Sequence, residues 1–547
     1  MPKENKLFTE ENSLKNKTCF IILFLVPFIT YFQVFTFQFA YDDFYSVLPM
    51  VGLKDLSSIP RYFYEPVHFF DEATGQMGKL NYYRPLANLT LTLDFYLFGN
   101  SPGWFHIENL LLHILNSSLI FLIFKRLIDD NTFIALTGAV LYSVFPLSIE
   151  IISIYHYRVD LIVTLFIFLT LFSVFNTEKN WFYITGVLFF LAMLCKETAI
   201  ILLLLIPLLR LFYFERINWK EVLPVLVLPM LFYWSLRFNA LGFFLQGDNS
   251  VKLEGFLNTL SFDERLLYIF DSLGKKVSFL FLPFSIPPKV FVEPIESYGF
   301  VLLGLTFFAG LLGGSLFLRN IKLEGFLCLS ILISWFPVSS ILISVPDFAS
   351  PRFFYYSAPW LILLLLSLIV KLPQKAVKII FIGFLLLFWS VSSYFQKNQF
   401  RNNLSMSLAT LNYYPKEPSL LNVVGLEYKK RGDYILSERY FKSSLHELEQ
   451  NKKLTAPLSR KAFVGLTEIQ IRKKEFGMAL NTLERALTIF PEDENLYYLK
   501  AVAYFEQGNF TKGIEVAIKG KQYEKQKGRF EALIKMAKEK KIGDKKN

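Results

Sequence analysis

Two adjacent carboxylates, Asp42 and Asp43, stand a few residues past the first long apolar run, Cys19 to Phe39, in the stretch Phe39-Ala40-Tyr41-Asp42-Asp43-Phe44. Transfer of an activated sugar needs a carboxylate to take the proton of the attacking hydroxyl and a cation to hold the departing phosphate. Asp42 or Asp43 can supply the first, and Arg84 or another arginine on the same side of the membrane the second. The competing reading is a solvated or helix-capping acidic pair, with Arg84 anchoring a loop to lipid headgroups. Further charged residues fall at the ends of apolar stretches: Arg158 with Asp160, Lys196 with Glu197, and Arg352. Each is a candidate ligand contact, or one half of a local ion pair, Arg158 with Asp160 and Lys196 with Glu197. His106, Asn109 and His113, at i, i+3 and i+7, turn to one helix face. That pattern suits an interhelical hydrogen-bond line or a substrate contact through His106, and it lacks the arrangement of a zinc site.

The elements that must position these residues are membrane spans. The chain has 547 residues, 53% of them hydrophobic and 17% aromatic, with a mean hydropathy of +0.39, which excludes a large soluble core. A hydrocarbon slab about 30 Å thick takes roughly 20 apolar residues in a helix. About eleven stretches qualify, centred near residues 28, 115, 142, 166, 188, 204, 230, 308, 333, 362 and 385. Another, Leu266 to Phe284, is interrupted by Asp271, Lys275 and Lys276 and reads as an interfacial hairpin or a tilted span. The expected fold is all-α: a polytopic helical bundle of about 11–13 spans over residues 1–395.

The first run follows Lys3, Lys6, Lys15 and Lys17 without a small-residue cleavage site, the pattern of a retained signal anchor. Basic residues collect at Lys125 and Arg126, Lys179, Arg210 with Arg216 and Lys220, Arg319 with Lys322, and Lys371 with Lys375 and Lys378. Short loops rich in lysine and arginine stay in the cytoplasm. The opposite side then receives the long segment 40–103, the loops near Arg158, Lys196, Asn239 to Glu264 and Asp347, and everything after residue 395. Segment 40–103 is long and rich in aromatic residues, and is expected to lie on the membrane as short amphipathic helices covering a cavity. Cys19, Cys195 and Cys328 all fall in or beside apolar segments and imply no disulfide framework.

At about Gln396 the composition changes to a charged, helical pattern poor in phenylalanine, marking a second domain over 396–547. Gly432-Asp433-Tyr434, Lys474-Glu475-Phe476 and Gly508-Asn509-Phe510 are equivalent turns, and Phe476 to Phe510 is one 34-residue period. Ala479, Leu483, Ala486 and Pro491 occupy the small, bulky, small and closing-proline positions of a tetratricopeptide repeat. Repeats are expected near 418–451, 460–493 and 494–527, forming an α-solenoid able to receive a protein partner.

The run Tyr82-Tyr83-Arg84-Pro85-Leu86, then Phe98-Gly99, then Phe105-His106-Ile107-Glu108-Asn109, resembles the membrane O-mannosyltransferases that carry tetratricopeptide repeats. Pro146 to Glu150 with Arg158 and Asp160, Lys196-Glu197-Thr198, and Arg352-Phe353 to Tyr355 continue the family's motifs in order, with Phe145 in place of its histidine and Pro351 in place of its acidic residue. The resemblance implies a glycosyltransferase C fold and inverting transfer from a polyprenyl-phosphate sugar to a hydroxyl of a protein or glycan acceptor. It also implies Asp42 or Asp43 as the catalytic carboxylate, the other orienting it or binding the acceptor. Arg84, Arg158 and Arg352 become the leading phosphate or sugar contacts, with His106, Asp160, Lys196 and Glu197 beside them. No cofactor is required by this chemistry, although paired acids are compatible with a divalent cation, and no glycine-rich phosphate loop is present. The alternatives are a transporter or flippase of lipid-linked sugars and a membrane-anchored repeat scaffold without catalysis.

The net charge of +11 resides largely in loop lysines and arginines and in the tail Lys535 to Lys546, so nucleic acid is not an expected partner. The lipid bilayer is. The phenylalanine and lysine bias favours a bacterial inner membrane with periplasmic repeats, the alternative being an endoplasmic reticulum membrane with lumenal repeats.

Overall fold

The computed structural model describes residues 10–543 other than 51, 53, 72–75, 80, 177–180, 244–259, 296, 318–321, 343, 344, 346, 456 and 525–527. Lys3, Lys6, Lys179, Arg319, most of the loop Asn239 to Glu264, the end of the last expected repeat and the end of the basic tail lie outside the described residues. Two compact units are present: Met1–Phe70 with Met77–Asn402, and Asn403–Asn547 with Asp71–Gln76.

The helices of the first unit are α1 (Glu10–Tyr31), α2 (Pro85–Phe98), α3 (Pro102–Leu127), α4 (Thr132–Ser143), α5 (Ile149–Ser153), α6 (Arg158–Ser173) and α7 (Trp181–Cys195). They continue with α8 (Leu202–Phe214), α9 (Trp219–Leu241), α10 (Phe262–Phe281), α11 (Gly299–Phe317), α12 (Lys322–Trp335), α13 (Ala358–Val370) and α14 (Lys375–Gln396). Every apolar stretch counted in the sequence falls on one of them. Among the described residues, seven helical segments are long and apolar enough to cross a membrane: Asn16–Thr36, Pro102–Leu127, Tyr155–Ser173, Glu197–Phe214, Trp219–Leu241, Gly299–Leu316 and Lys375–Phe400. Thr132–Ser143 and Pro146–Ser153 together make a broken span or a re-entrant loop, bent by 46° where Pro146 cannot continue the hydrogen-bond ladder, and Trp181–Cys195, Leu323–Val338 and Ala358–Val370 are shorter apolar helices.

That bend explains the polar line on α3. A helix broken at Ser143 and Ile154 leaves carbonyl oxygens without intrahelical donors, which an apolar medium does not tolerate. Asn109 Nδ2 donates to the Ile154 carbonyl at 3.1 Å, and one ring nitrogen of His113 lies 3.0 Å from the Ser143 carbonyl. Asn116 Nδ2 donates to the Leu161 carbonyl at 3.0 Å, and the other His113 nitrogen meets Tyr355 Oη at 2.8 Å. The stripe therefore binds α3 to the broken segment and to the residues before α13.

Segment 40–103 departs from the expected lid of amphipathic helices. Between α1 and α2 the chain forms a π-helical turn at Asp43–Val47, two short 3-10 turns, and a two-stranded hairpin of β1 (His68–Asp71) and β2 (Gln76–Lys79), with Met50 bridged to Phe69. Phe39, Val47, Met50, Tyr62 and Val67 pack with Leu91, Phe95, Phe105 and Tyr155 in a core of their own. Burial of so many large side chains at about 1.5–3 kcal/mol each holds this loop as folded structure on α2 and α3.

The interrupted stretch is one continuous helix, α10, begun by a capping box in which Ser261 and Glu264 bond each other's backbone N–H. Its Gly274 faces Gly304 of α11, where a Cβ on either would collide with a carbonyl oxygen of the other helix, Phe300 or Phe270. Glycine alone permits that approach.

In the second unit, α15 (Asn403–Leu411) precedes three antiparallel helix pairs: α16 (Pro418–Lys430) with α17 (Tyr434–Gln450), α18 (Pro457–Arg472) with α19 (Phe476–Ile489), and α20 (Glu494–Glu506) with α21 (Phe510–Lys521). A last helix, α22 (Arg529–Gly543), follows. Turns at Gly432, Lys474 and Gly508 take positive φ, and Ala479, Leu483 and Ala486 are fully buried. The ring of Phe441 fills the space over Gly425 and Gly465, so a methyl group at either would force the helices apart.

Candidate active site

Asp43 is fully buried. Its two carboxylate oxygens accept the backbone N–H of Ala40 at 3.0 Å and of His156 at 2.7 Å. The residue thus ties the turn after α1, where Tyr41 adopts φ 49°, to the short 3-10 segment Tyr155–Tyr157 that opens α6. Burial, with the neighbouring Asp42 adding to it, pushes its carboxyl up to about 7 against the pull of those backbone bonds.

Asp42 is held differently. It keeps a partly exposed side chain, and one oxygen accepts the Tyr157 hydroxyl at 2.8 Å. Burial raises its carboxyl to about 6; Arg352 and the Tyr157 bond pull it down, whereas Asp347 and Glu150 push it up. The Arg352 guanidinium lies 4.0 Å from the centroid of the Tyr157 ring, so one tyrosine joins the carboxylate to the cation. Arg352 donates to Glu150 at 2.9 Å and stands 4.0 Å from Asp347, and Ser350 Oγ donates to the second Glu150 oxygen at 2.6 Å. Glu150 and Asp347 are thus acidic neighbours of Arg352, which follows Pro351. Phe145, in place of the family's histidine, is fully buried with its ring edge against Trp389, centroids 5.3 Å apart, a packing role.

Arg84, placed by the proline that starts α2, donates from Nε to Glu197 at 3.1 Å and lies 4.5 Å from the centroid of the Tyr82 ring. Glu197 also accepts from Arg237 at 3.0 Å. Lys196 pairs with Asp160, which also accepts the Tyr356 hydroxyl. The local pairs Arg158 with Asp160 and Lys196 with Glu197 are therefore absent. Residues two apart on a helix differ by about 200° in direction, and Lys196 itself is extended, so each of these neighbours turns to a different side. His156 lies within electrostatic reach of Arg84, Asp160, Lys196 and Arg352.

Arg158 stands apart from this group. Its guanidinium meets Asp94 and donates to Glu108 at 2.6 Å, Asn109 at 3.1 Å and the Phe105 carbonyl at 3.2 Å. With its donors directed to α2 and α3, it joins helices rather than facing Asp42. His106 is buried against Phe37 and 3.4 Å from the Gln38 carbonyl. Among the described residues no group of three or more His, Cys, Asp or Glu side chains is arranged to hold a metal ion, and both Asp43 oxygens already accept backbone donors.

Sequence reasoning did not single out Tyr157, His156, Tyr356 or Arg237. Arg237 carried a usable signal, a charge inside an apolar helix; the others are tyrosines and a histidine among many, brought in by pairing of distant segments.

The fold and this group of residues define a multi-span helical membrane protein whose first loop brings a carboxylate pair to buried arginines. The family model described as dolichyl-phosphate-mannose-protein mannosyltransferase matches residues 84–235. That region contains Arg84, His106, Arg158, Asp160, Lys196 and Glu197, with Asp42, Asp43 and Arg352 outside it. The chain is similar to protein O-mannosyl-transferase Tmtc1 of Drosophila melanogaster, 29% identical over 33% of this chain and 21% of that protein. It is also similar to protein O-mannosyl-transferase TMTC2 of Mus musculus, 23% identical over 46% of this chain and 32% of the relative. The match to protein O-mannosyl-transferase TMTC1 of Homo sapiens is 26% identical over 30% and 20%. The chain spans a third or less of the length of the relatives it matches. No solved structure matches. The resemblance to the repeat-carrying O-mannosyltransferases, read from ordered motifs, holds.

Proposed function

We propose that this protein is a membrane glycosyltransferase that moves a sugar from a polyprenyl-phosphate carrier to a hydroxyl of a protein acceptor, with inversion. The observation that carries the reading is the unequal treatment of the acidic pair. Asp43 is a fully bonded anchor, whereas Asp42 is partly exposed, oriented by Tyr157 and set beside Arg352.

In this mechanism Asp42, ionised, accepts the proton of the acceptor hydroxyl. The oxygen attacks the anomeric carbon from the face opposite the phosphate, and the bond from that carbon to the phosphate oxygen breaks with its electron pair on the leaving phosphate. The added negative charge is met by Arg352, with Arg84 and Lys196 nearby; each already has a carboxylate partner, which fixes its position before the donor arrives. Metal is not part of this scheme. The relatives are named for mannosyl transfer, so mannose is the first sugar to test. The basic loops favour the non-cytoplasmic face, and the helix pairs after Asn403 would present the acceptor or a partner. The phenylalanine and lysine bias favours a bacterial inner membrane.

The test is transfer of radiolabelled mannose from polyprenyl phosphate to outer-face proteins, using membranes with the wild type, Asp42→Asn and Arg158→Lys. Label in protein with the wild type and none with Asp42→Asn is the expected result. Lipid-linked sugar crossing the bilayer without label in protein would instead make the chain a transporter.

A further inference from the structure

Lys276 lies on α10 and is 2% exposed. Its ammonium group donates to Ser272 Oγ at 2.9 Å and to the Phe348 carbonyl at 2.7 Å, both neutral oxygens. Burial among neutral acceptors disfavours the charged form of this amine, and an apolar side chain of similar length usually serves packing better. The charges acting on it from the neighbouring segments are Glu150 and Arg352, the pair at the centre of the candidate site.

The Phe348 carbonyl belongs to a segment that cannot hold itself. From Val345 to Ser357 the described backbone is a series of single turns: Phe348 to Val345, Ser350 to Asp347, Phe353 to Ser350, Tyr355 to Arg352 and Ser357 to Phe354. Asp347 adopts φ 53°, a left-handed conformation strained for a residue with a side chain. Side chains from other helices fix the rest of the segment: Glu150 holds Ser350 and Arg352, and Asp160 holds Tyr356. At the strained end Ser340 Oγ bonds the backbone of Val345 and Lys276 tethers the Phe348 carbonyl from α10, where the close crossing of α10 and α11 at Gly274 and Gly304 sets its position along the helix.

We infer that Lys276 is a positioning residue for Arg352: from α10 it clamps the Phe348 carbonyl and so holds the segment that presents the guanidinium to the donor phosphate. The clamp is a statement about the fold, while its use rests on the function proposed above. Lys276→Met removes the donors at similar length, Lys276→Gln keeps an N–H without charge, and Lys276→Arg keeps the cation.

The experiment combines hydrogen exchange of peptides covering 347–357 in the full chain, binding of polyprenyl phosphate, and transfer kinetics. Lys276→Met is expected to speed exchange in that segment while α12 and α13 stay protected, to weaken lipid-phosphate binding and raise the donor KM about tenfold, and to change kcat far less. Lys276→Arg restores most of the affinity and Lys276→Gln part of it. Unchanged exchange in a folded Lys276→Met protein, or in Lys276→Leu where the methionine variant does not fold, overturns the clamp. Faster exchange with unchanged lipid-phosphate binding overturns the positioning role. A wild type that binds the lipid phosphate, weakened by Lys276→Met, yet transfers no sugar would leave this inference standing and refute the glycosyltransferase reading.

Discussion

Asp42 and Asp43 share a peptide bond and carry different tasks because their surroundings differ. For Asp43, replacement by alanine leaves the N–H groups of Ala40 and His156 without acceptors, each worth about 1–3 kcal/mol when buried, so the amount of folded protein should fall sharply. Both carboxyl groups are raised above the ordinary value, near 3.8, so ionising them opposes folding. Their contribution to stability is greatest below about pH 4 and is lost as pH rises through about 6 and 7. Thermal unfolding of the wild type and Asp43→Asn from pH 4 to 8 checks this: the wild-type difference between the two ends should shrink in the variant. Activity has the opposite dependence for Asp42. A base must be ionised, so transfer should rise with pH through about 6 and be lost below it. The pair itself was legible in the sequence as a carboxylate couple beside a span; which member is bonded on both oxygens was not, since the donors are the backbone of Ala40 and of residue 156, more than a hundred positions away.

At the scale of elements, the bend between α4 and α5 is the organising feature, and α3 answers it with amides and an imidazole. Asn109→Leu removes the amide donor to the Ile154 carbonyl and one of the acceptors of Arg158 and is expected to cost about 1–3 kcal/mol, read as earlier thermal unfolding in detergent. Arg158→Met should be worse, at about 3–5 kcal/mol, because the buried Asp94 and the partly exposed Glu108 would both lose their cation. Its effect belongs to folded yield, and material that does fold should keep a near-normal donor KM. Apolar runs fixed where these helices lie, because a bilayer length in residues is a one-dimensional property. The ion pairs were hidden for the converse reason. Neighbours in sequence, such as Lys196 and Glu197, separate at a helix end and find Asp160 and Arg84, and nothing local encodes that choice. The hairpin His68 to Lys79 was missed likewise, since its strands hold four residues each and alternate too briefly to read.

For the whole molecule, the account requires the loop between α1 and α2 and the loop between α13 and α14 to face opposite sides. Cys19, Cys195 and Cys328 are all buried, which gives a low background for thiol labelling. An impermeant maleimide added to intact cells should modify Glu65→Cys and spare Lys371→Cys, and the reverse pattern would invert the topology. All of these expectations converge on one chemical claim, that Asp42 removes the acceptor proton. The direct measurement is the rate of sugar transfer from polyprenyl-phosphate mannose by purified wild type and Asp42→Asn, with polyprenyl-phosphate binding measured on the same preparations. The account predicts a loss of at least about a hundredfold in rate with binding retained; transfer by a folded Asp42→Asn protein at the wild-type rate would contradict it.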